Sequence, residues 1–574
     1  MIRLTIDGLS VEVEEGATLL EAARKLDIHI PTLCFHPDQN VKANCRICVV
    51  EAEGNKLLVP ACSYPAENAM SIRTHSPKVR RARRNILELM LARHAQDCLH
   101  CDRSGTCELQ AVSEEMHFVK EIRYPYVARS DEKDDSSPSI KRNSAKCINC
   151  GRCEYVCSEV QTVHALSKVG RGFEVQFRPA YGRPLSESIC VNCGQCVQAC
   201  PTGALTIRDE SQIVWHTFAE PGKTVVAQVA PAVRITLAEA LGETPGSIST
   251  GRLVTAMKRV GFHKVFDTDF TADLTIMEEG TELLGRFKNG GVLPMITSCC
   301  PAWIKFCETF YPEFIPNLST CKSPQQMFGA LLKTYYAEKT GKRPEDILSV
   351  SVMPCTAKKY EENRPEMGRN GIKDVDAVIT AQELARMIRS AGVRFDTLPD
   401  TPFDDPFGLG TGAGEIFGST GGVMEAALRT VYELATGEPL TSLDIKAVRG
   451  LEGVKEASAD LGGKQVRVAV ANGLGNARKV MDLVKAGKAD YHFIEIMACP
   501  GGCIGGGGNP FKENAIMKHR LDAVYRLDRQ LPIRKSHENP AVKALYDEYL
   551  GEPTGHRSHA LLHTAYTSRS GLLG

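Results

Sequence analysis

The spacing of the cysteines is the feature that most constrains how this chain can fold. Of 574 residues, 22 are cysteine, and most stand in groups separated by only two or three residues. The first residues, 1–4, lack the basic and apolar regions of a signal peptide, which predicts a reducing, cytoplasmic location. In such a compartment closely spaced cysteines favour metal ligation over disulfides. We therefore expect the chain to fold around several metal groups.

Two cysteine runs have the x2, x2, x3 spacing of bacterial ferredoxins that hold two 4Fe–4S clusters. In those proteins the fourth cysteine of each run ligates the other cluster. The spacing therefore predicts two ligand sets, Cys147, Cys150, Cys153 and Cys200 for one cluster, and Cys190, Cys193, Cys196 and Cys157 for the other. Pro201 follows the second run, whereas Ser158 stands at the matching place in the first and changes no ligand.

The amino-terminal region combines a strand pattern with a separate set of four cysteines. Alternating apolar residues flank Asp7-Gly8, which predicts a β-hairpin, and Thr18 with Glu21 predicts a capping box for a helix that ends near residue 25. The cysteines that follow resemble those of the 2Fe–2S ferredoxin-like domain that begins respiratory-complex and hydrogenase subunits. Zinc is the alternative metal for these ligands, which are Cys34, Cys45, Cys48 and Cys62.

A basic helix and a fourth ligand group come next. Ser76-Pro77 predicts a helix start, and five basic residues crowd its first two turns: Lys78, Arg80, Arg81, Arg83 and Arg84. They form either a solvated face or a docking surface for an acidic carrier protein. The next group resembles the ligands of the histidine-bound 4Fe–4S cluster of the same subunits, with zinc again the alternative: His94, Cys98, Cys101 and Cys107. The polar segment 130–139 then reads as a linker.

In the carboxyl-terminal half, each of three apolar, strand-like runs ends at a cysteine. The runs are 292–296, 347–353 and 493–497, and the four thiols that follow them are Cys300, Cys355, Cys499 and Cys503. Ligands of open α/β sheets lie beyond the carboxyl ends of the strands, so we expect these thiols in one crevice, where they suffice for a 4Fe–4S cubane. The x3 spacing of the last pair fits neighbouring helical turns. Glycines within and after this pair, at 501, 502 and 505–508, let the backbone approach a bulky inorganic group closely. Cys299 is not needed as a ligand of the cubane and remains as a spare thiol.

The same half reads as strand–loop–helix units of an α/β fold. Strands are expected at 224–230, 375–379 and 466–471, and Thr380 with Glu383 predicts a helix cap. The glycine pairs at 408/410 and 473/475 lack the third glycine of a dinucleotide fingerprint and read as turns. No flavin or nicotinamide site is evident, so electrons are expected to arrive on a protein carrier.

Composition excludes two classes of partner. The formal net charge is zero, so nothing favours nucleic acid, and no apolar run approaches the roughly 20 residues that cross a bilayer. We expect a protein with no membrane partner and no nucleic-acid partner.

Three segments now identify a family resemblance. Residues 297–301 (TSCCP), 353–359 (MPCTAKK) and 495–503 (EIMACPGGC) resemble the three signatures of FeFe-hydrogenases. The resemblance covers the whole chain and follows the order of the monomeric clostridial type with four accessory clusters. It implies one 2Fe–2S cluster, three accessory 4Fe–4S clusters and an H-cluster. The H-cluster is a cubane on the four carboxyl-terminal cysteines, joined through Cys503 to a di-iron subcluster with carbon monoxide, cyanide and a dithiolate amine, built by maturation proteins.

The resemblance also implies a proton path, carried over residue by residue onto Cys299, Glu279, Ser319, Glu282 and Arg286. Read from the residues alone, the last two are an i,i+4 surface ion pair and the serine caps a turn. The resemblance further implies a pocket for the di-iron unit, where Lys358 meets one cyanide and the others surround it: Pro231, Ala232, Met353, Met497, Phe417 and Gln325. Some relatives have serine at position 232, so a side-chain hydrogen bond is absent here. Cys307 and Cys321 receive no role.

The expected architecture is multidomain, α+β and α/β. A β-grasp 2Fe–2S domain (1–78) precedes a His/Cys3 4Fe–4S domain (79–125), a two-cluster ferredoxin domain (126–209) and a two-lobed α/β catalytic domain (210–574), whose tail (537–574) resembles a separate small subunit of some relatives. The expected activity is reversible proton reduction to dihydrogen with electrons from ferredoxin or flavodoxin, by a cytoplasmic monomer. The alternative is an electron-transfer subunit of a dehydrogenase or respiratory complex, which leaves 299–503 unexplained. An iron–sulfur assembly relative is a third reading.

Overall fold

The computed structural model describes residues 1–117, 123–127, 133–461, 463–510 and 513–573. Its contacts divide the chain into two units. The first contains 1–159, 164–188 and 199–206, and the second contains 160–163, 189–198 and 207–574. The cysteine-rich segment 189–198 therefore belongs to the same unit as the carboxyl-terminal half. The domain boundaries given above remain proposals.

The first unit begins with the predicted hairpin. Strands Ile2–Ile6 and Leu9–Val13 pair antiparallel, and Ser71–Arg73 joins the first strand in parallel. The sheet continues through Val49–Ala52 and Val59–Pro60. Helix Leu19–Lys25 starts with the predicted capping box, in which Thr18 and Glu21 satisfy each other's backbone N–H groups. The β-grasp prediction is confirmed.

The rest of the first unit is short elements around cysteine loops. Its helices include Pro77–Leu91, capped by Ser76 as predicted, Glu108–Glu115 and Arg152–Tyr155. Lys133–Asp134 pairs with Ile140–Asn143, and Ser167–Val169 with Gln176–Arg178. The described part of the predicted linker, 133–139, is thus a hairpin strand followed by its turn. Within it the Asp134 carboxylate accepts hydrogen bonds from the Ser136 N–H and hydroxyl. The linker's first residues, 130–132, lie outside the described residues.

The described part of the second unit contains two four-stranded sheets, one in each lobe of the predicted catalytic fold, and a short antiparallel pair, Gly368–Arg369 with Ile372–Lys373. The first is wholly parallel, in the order Lys264–Asp267, Thr224–Val229, Ile347–Met353 and Ala377–Thr380. The second has the order Met295–Ile296, Phe493–Met497, Gln465–Asn472 and Val454–Asp460, with only the last strand antiparallel. Every residue of Thr224–Val229 is buried, as expected for a parallel strand with both faces covered. The two-lobed α/β prediction is confirmed.

Helices cover both sheets of the second unit. The longest, Thr268–Asn289, begins at an Asp267 cap and is buried along most of its first three turns. The others include Val233–Ala240, Thr250–Val260, Pro301–Phe310, Pro324–Leu331, Ala357–Glu362, Ala381–Ser390, Gly422–Thr436, Leu474–Lys485, Asn514–Gln530, Pro540–Leu545 and His556–Leu562. Within the described residues, no helix has both the length and the apolar content to cross a bilayer.

One predicted strand is wrong in length. The run 292–296 forms a strand only at Met295–Ile296, because Pro294 has no N–H to give the ladder and Val292 lies exposed. The other strands match within about three residues, the usual uncertainty of sequence-based boundaries. Gly473 takes a positive φ of 79° in the turn after Gln465–Asn472, as predicted, whereas Gly475 already lies in the first turn of helix Leu474–Lys485.

The glycines after Cys503 pack against protein backbone. A Cβ built on Gly506 would lie 2.2 Å from the Pro354 carbonyl oxygen, and one on Gly507 would lie 2.6 Å from the Cys193 carbonyl oxygen. The Gly508 N–H donates to the same Pro354 oxygen at 2.9 Å. The glycine loop therefore fixes the segment after one predicted ligand, Cys503, directly against the segment before another, Cys355.

Replacing Gly506 by alanine tests that packing. Its φ of −63° suits alanine, so the cost is steric and we expect about 1–3 kcal/mol of lost stability. The apparent unfolding temperature at a fixed scan rate should fall, and the cubane iron of the second unit should be lost with it. Gly285→Ala is the control, because nothing lies within 4 Å of its added Cβ. Equal unfolding temperatures for the two variants would contradict the packing argument.

Candidate active site

The strand ends of both lobes meet at one cavity in the second unit. Its lining includes the four predicted carboxyl-terminal ligands and the spare thiol, Cys299, Cys300, Cys355, Cys499 and Cys503. The space between its lining residues, including the part open to solvent, is about 760 Å³. The strand before Cys355 belongs to the first sheet, whereas the strands before Cys300 and Cys499 belong to the second. The two lobes thus contribute thiols to a common site.

The last two thiols are brought together by glycines and not by a helix. The expectation that Cys499 and Cys503 lie on neighbouring helical turns is wrong. Gly501 and Gly502 have φ values of 79° and 87°, a conformation that L residues rarely adopt, and only one turn of 3₁₀ helix follows from Cys503. A Cβ on Gly502 would also lie 2.5 Å from the Thr420 nitrogen. These two glycines are therefore required for the reversal that turns Cys503 back into the cavity.

The thiols are electrostatically suited to a cationic metal group. Burial raises the pKa of Cys355 and of Cys503, and the neighbouring thiols raise both further. Several thiolates in such a place are costly unless a metal binds them, since coordination deprotonates a thiol outright. The Ala498 N–H points at Cys300 Sγ from 3.4 Å, the kind of hydrogen bond that stabilises a ligating sulfur.

The rest of the described wall is apolar apart from three polar side chains, Thr268, Gln325 and Lys358. Five of the predicted pocket residues, Pro231, Ala232, Met353, Phe417 and Met497, all line the cavity and are buried. Gln325 and Lys358 line it too. Gln325 Oε1 is buried with no hydrogen-bond partner, an orphaned acceptor in the wall. The four thiols fit metal cations, the Lys358 ammonium fits anionic ligands carried by those metals, and Gln325 Oε1 fits a hydrogen-bond donor on the same group.

Lys358 is held in position by a residue that the sequence analysis missed. Its ammonium group donates to Glu361 Oε2 at 2.9 Å and to the Cys299 carbonyl at 3.1 Å. The same carboxylate oxygen accepts from Gln325 Nε2 at 3.0 Å and from the Ser323 hydroxyl at 2.8 Å. Lys358 is only 9% exposed, so its ammonium group lies inside the protein and not in solvent. The i,i+3 spacing of Lys358 and Glu361 is the signal that would have identified the partner.

The five residues of the predicted proton path lie in sequence from the cavity towards the surface. Glu279 is close enough to Cys299 for its charge to raise the thiol pKa. The Ser319 hydroxyl pairs with Glu279 and donates to Glu282 Oε2 at 2.9 Å. Glu282 Oε1 accepts from Arg286 at 2.7 Å, and both of those side chains are about one-eighth exposed. Glu282 and Arg286 do form the i,i+4 ion pair expected from the residues alone. The pair is also connected, through the buried Ser319, to the buried carboxyl of Glu279.

The buried carboxyl in this series has an unusual protonation state. Burial, together with the charge of Glu282, raises the pKa of Glu279 to about 8. At neutral pH Glu279 therefore carries a proton for most of the time, and it can release one near that pH. Its Oε2 is buried without a hydrogen-bond partner. Burial also raises the pKa of Cys299, which stays a thiol when no metal is bound.

Two of the accessory ligand sets come together within the first unit. Cys34 exchanges hydrogen bonds with Cys45 and Cys62, and Cys62 with Cys48. The first predicted cubane set lines a single pocket, Cys147, Cys150, Cys153 and Cys200. In the histidine-containing set, His94 is buried, Cys98 is exposed, and Cys101 adds to the raised pKa of Cys107. The grouping of that set stays a prediction.

The second predicted cubane set, Cys190, Cys193, Cys196 and Cys157, is divided between the units. Cys157 lies in the first unit, whereas Cys190, Cys193 and Cys196 lie in the second, and their grouping stays a prediction. Within the second unit, Thr356 Oγ1 donates to the Asn192 carbonyl at 2.7 Å, and Gln195 Nε2 to the Gly505 carbonyl at 3.0 Å. The cysteine run therefore contacts segments next to Cys355 and Cys503.

Fold and site together define an iron–sulfur oxidoreductase, and comparison with known proteins gives its family. Residues 223–507 match the iron only hydrogenase large subunit, C-terminal domain, and 514–569 match the iron hydrogenase small subunit. Residues 1–77 match a 2Fe-2S iron-sulfur cluster binding domain, 83–121 the NADH-ubiquinone oxidoreductase-G iron-sulfur binding region, and 146–204 a 4Fe-4S dicluster domain. The chain belongs to the FeFe-hydrogenase family.

Individual relatives are similar over the whole chain. The NADP-reducing hydrogenase subunit HndD of Solidesulfovibrio fructosivorans is 49% identical and covers 100% of both chains. Iron hydrogenase 1 of Clostridium pasteurianum is 39% identical over 99% of this chain and 100% of its own. A solved apo [FeFe]-hydrogenase HydA1 from Chlamydomonas reinhardtii is 45% identical, covers 63% of this chain and 99% of its own, and has a TM-score of 0.58. The chain is therefore a hydrogenase with an iron–sulfur electron relay.

The ligand sets predict the metal content of the fully matured protein. If every set is filled as predicted, elemental analysis should find about 20 irons per chain and only traces of zinc. Cys200→Ser should lower that number by about four if its set holds one cubane, and should leave the infrared bands of carbon monoxide and cyanide in place. A zinc content comparable with the iron content would contradict the assignment of the amino-terminal sets.

Proposed function

We propose that this chain reversibly reduces protons to dihydrogen at an H-cluster bound by Cys300, Cys355, Cys499 and Cys503. The observation that supports the proposal best is the meeting of these thiols and Cys299 at one apolar cavity. Electron-transfer subunits that share only the amino-terminal half have no use for such a cavity. When bound, the cluster supplies redox-active iron and an open metal position, where two electrons and two protons combine.

The pocket residues hold the anionic ligands and exclude water. We assign Cys503 as the ligand shared with the di-iron subcluster, on family resemblance. Two of the three ammonium donors of Lys358 are engaged by Glu361 and Cys299, which leaves one for a cyanide ligand. Gln325 offers its unpartnered Oε1 to a donor on the cluster. The methyl group at Ala232 gives no hydrogen bond, so only backbone N–H groups can serve the second cyanide there.

Protons reach the site through side chains and not through bulk water. Arg286 and Glu282 lie at the partly exposed end, and a proton taken up on the Glu282 carboxylate passes through the Ser319 hydroxyl to Glu279. Glu279 then delivers it to Cys299, the thiol that lines the cavity without being needed as a ligand. A carboxyl with a pKa of about 8 exchanges protons readily near neutral pH, which is what a relay requires.

The variant Glu279→Gln tests this relay. The amide keeps the shape and one hydrogen bond but carries no exchangeable acid proton, so dihydrogen evolution from reduced methyl viologen should fall by about 10²–10⁴-fold. The carbon monoxide and cyanide infrared bands should be retained. Glu362→Gln is the matched control, since it neutralises another buried carboxyl with a raised pKa. Full turnover in Glu279→Gln would remove this carboxyl from the path.

The accessory clusters match the potential of the reaction. At about 59 mV per pH unit, the proton couple at pH 7 lies near −410 mV. Ferredoxin-type clusters reach about −400 mV. We propose one 2Fe–2S and three 4Fe–4S accessory clusters as a nearly isoenergetic route for electrons. The run with Cys193, in contact with the loop that follows Cys503, is a suitable last stage.

A basic helix face beside the 2Fe–2S ligands is a suitable docking surface for the electron carrier. Buried Arg83 of helix Pro77–Leu91 binds the Val49 carbonyl, one residue from Cys48. The other basic residues of that helix, Lys78, Arg80, Arg81 and Arg84, are exposed. An acidic ferredoxin or flavodoxin would be attracted to this face, and electrons would enter at the nearby cluster. With a diffusing carrier as electron donor no further subunit is needed, and in this proposal the enzyme acts as a monomer.

Charge reversal on this face provides the test. The double variant Arg80→Glu/Arg81→Glu should raise the KM for reduced ferredoxin by at least about tenfold at low salt, because rim charges act mainly on association. Activity with methyl viologen should be unchanged. The control is Lys518→Glu/Lys543→Glu, which reverses two exposed charges elsewhere. An equal KM in both double variants would place the docking surface on another face.

The similarity to HndD favours a second candidate for the partner. That relative is named as a subunit of an NADP-reducing hydrogenase. If this chain works in the same way, it exchanges electrons with other subunits of a complex. The purified chain should then evolve dihydrogen from viologen but not from reduced ferredoxin, and it should gain activity with NADPH only when such subunits are added.

A further inference from the structure

A thiol, an imidazole and a carboxylate converge at the outer part of the proposed proton path. The residues are Glu282, Cys321 and His563, and one ligand atom of each lies within 4.8 Å of the other two. Cys321 is fully buried and His563 is 7% exposed. Neither residue has a part in the site described above. The combination of sulfur, nitrogen and oxygen ligands is the one that zinc prefers in proteins.

The three side chains come from separate elements that are fixed against one another. Glu282 projects from helix Thr268–Asn289. Cys321 and His563 form an antiparallel bridge, supported by the Thr564 N–H, which donates to the Thr320 carbonyl at 2.7 Å. His563 thus belongs to the carboxyl-terminal tail, and the tail is held by backbone hydrogen bonds beside the relay.

Both oxygens of the Glu282 carboxylate accept from the Thr320 N–H, at 3.3 and 3.1 Å, and each has a further partner of its own. Oε1 accepts from Arg286 at 2.7 Å. Oε2 accepts from Ser319 at 2.9 Å and faces Cys321 Sγ at 3.9 Å. Oε2, the oxygen that faces Cys321, is therefore also the oxygen that accepts from Ser319 in the proposed proton path. A metal bound through Oε2 would leave the Arg286 pair intact but would take the oxygen that passes protons to Ser319.

The imidazole is oriented by a buried second layer. His563 Nε2 lies 3.1 Å from Glu278 Oε2. Glu278 in turn accepts from the Tyr546 hydroxyl at 2.5 Å and from the Thr554 N–H at 2.7 Å. A carboxylate that holds the outer nitrogen of a histidine is the usual support of a zinc ligand. Nδ1 lies 2.8 Å from Thr320 Oγ1, and it becomes available to a metal when the Thr320 side chain turns to another rotamer.

We propose that Glu282, Cys321 and His563 bind a divalent zinc-class cation, and that the bound cation inhibits proton transfer through Glu282. Binding exchanges the Cys321 proton for a metal–sulfur bond, and the proton leaves to solvent. The cation also offsets the charges of Glu278, Glu279 and Glu282, which disfavour a bare thiolate at Cys321. It reaches the site from the partly exposed side of Glu282. The inhibitory part of the proposal rests on the proposed relay, whereas the binding part does not.

Zinc retention tests the site independently of activity. The matured enzyme is incubated with a small excess of zinc chloride, passed through a desalting column and analysed for zinc and iron. Wild type should retain about one zinc more per chain than Cys321→Ser or His563→Gln. Cys307→Ser, which alters another buried thiol, should behave as wild type. Glu278→Gln should bind zinc about tenfold or more weakly through loss of the second layer. Equal zinc in all variants overturns the site.

X-ray absorption at the zinc edge of the wild-type enzyme needs no variant. It should show one sulfur near 2.3 Å together with nitrogen or oxygen ligands. A shell of oxygen and nitrogen only would overturn the assignment of Cys321. A shell of several sulfurs would indicate zinc in an unfilled cluster site and would overturn it equally.

Dihydrogen evolution from methyl viologen tests the inhibition, with each variant compared with its own rate without zinc. One equivalent of bound zinc should lower the wild-type rate at least about tenfold, while Cys321→Ser and His563→Gln lose less than about half of theirs. Zinc bound with one sulfur but without effect on the rate overturns the inhibitory part. If Glu279→Gln proves fully active, the relay fails, and the zinc count still decides the site.

Discussion

The cost of burying several thiolates in an apolar cavity is the constraint on which the rest of the catalytic unit depends. Each of the four predicted ligands is stable as a thiolate there only if iron neutralises it. Since the strand before Cys355 belongs to one sheet and the strands before Cys300 and Cys499 to the other, a cluster bound by all four thiols would also link the lobes. A metal bound there would therefore contribute to folding as well as to chemistry, as structural metal sites generally do.

The fold was predictable wherever the information is local. Cysteine spacing, the capping boxes at Thr18 and Thr380 and the apolar strands are set by neighbours along the chain, and the structure has each of them. Contacts of long sequence separation were not predictable in this way. The approach of Gly506 to Pro354 and of Gly507 to Cys193 depends on how two loops fold over each other. Glycine composition suggested close approach, but it did not identify the partner.

The same distinction between local and long-range information applies to the candidate site. The meeting of the carboxyl-terminal thiols at one cavity could be predicted from the strand ends they follow. The proton path could not, since Glu282 and Arg286 at i,i+4 look like any helix surface pair. What distinguishes them is the buried connection through Ser319 to a carboxyl with a pKa of about 8, and burial is a property of the assembled fold. The same holds for Glu361, whose role depends on Lys358 lying inside the protein.

A single helix links these parts of the molecule. On helix Thr268–Asn289, Glu279 faces the cavity side, Glu278 faces the tail through Tyr546 and His563, and Glu282 lies between the two. Adjacent helix positions point in directions about 100° apart, so consecutive glutamates necessarily serve different surroundings. The tail thereby does more than cover the core, because its His563 lies within 4.8 Å of Glu282, the carboxylate through which we propose that protons enter. In relatives whose small subunit is a separate chain, the equivalent contact would have to form across a subunit interface. Fusion of the tail into this chain replaces that association step with an intramolecular one.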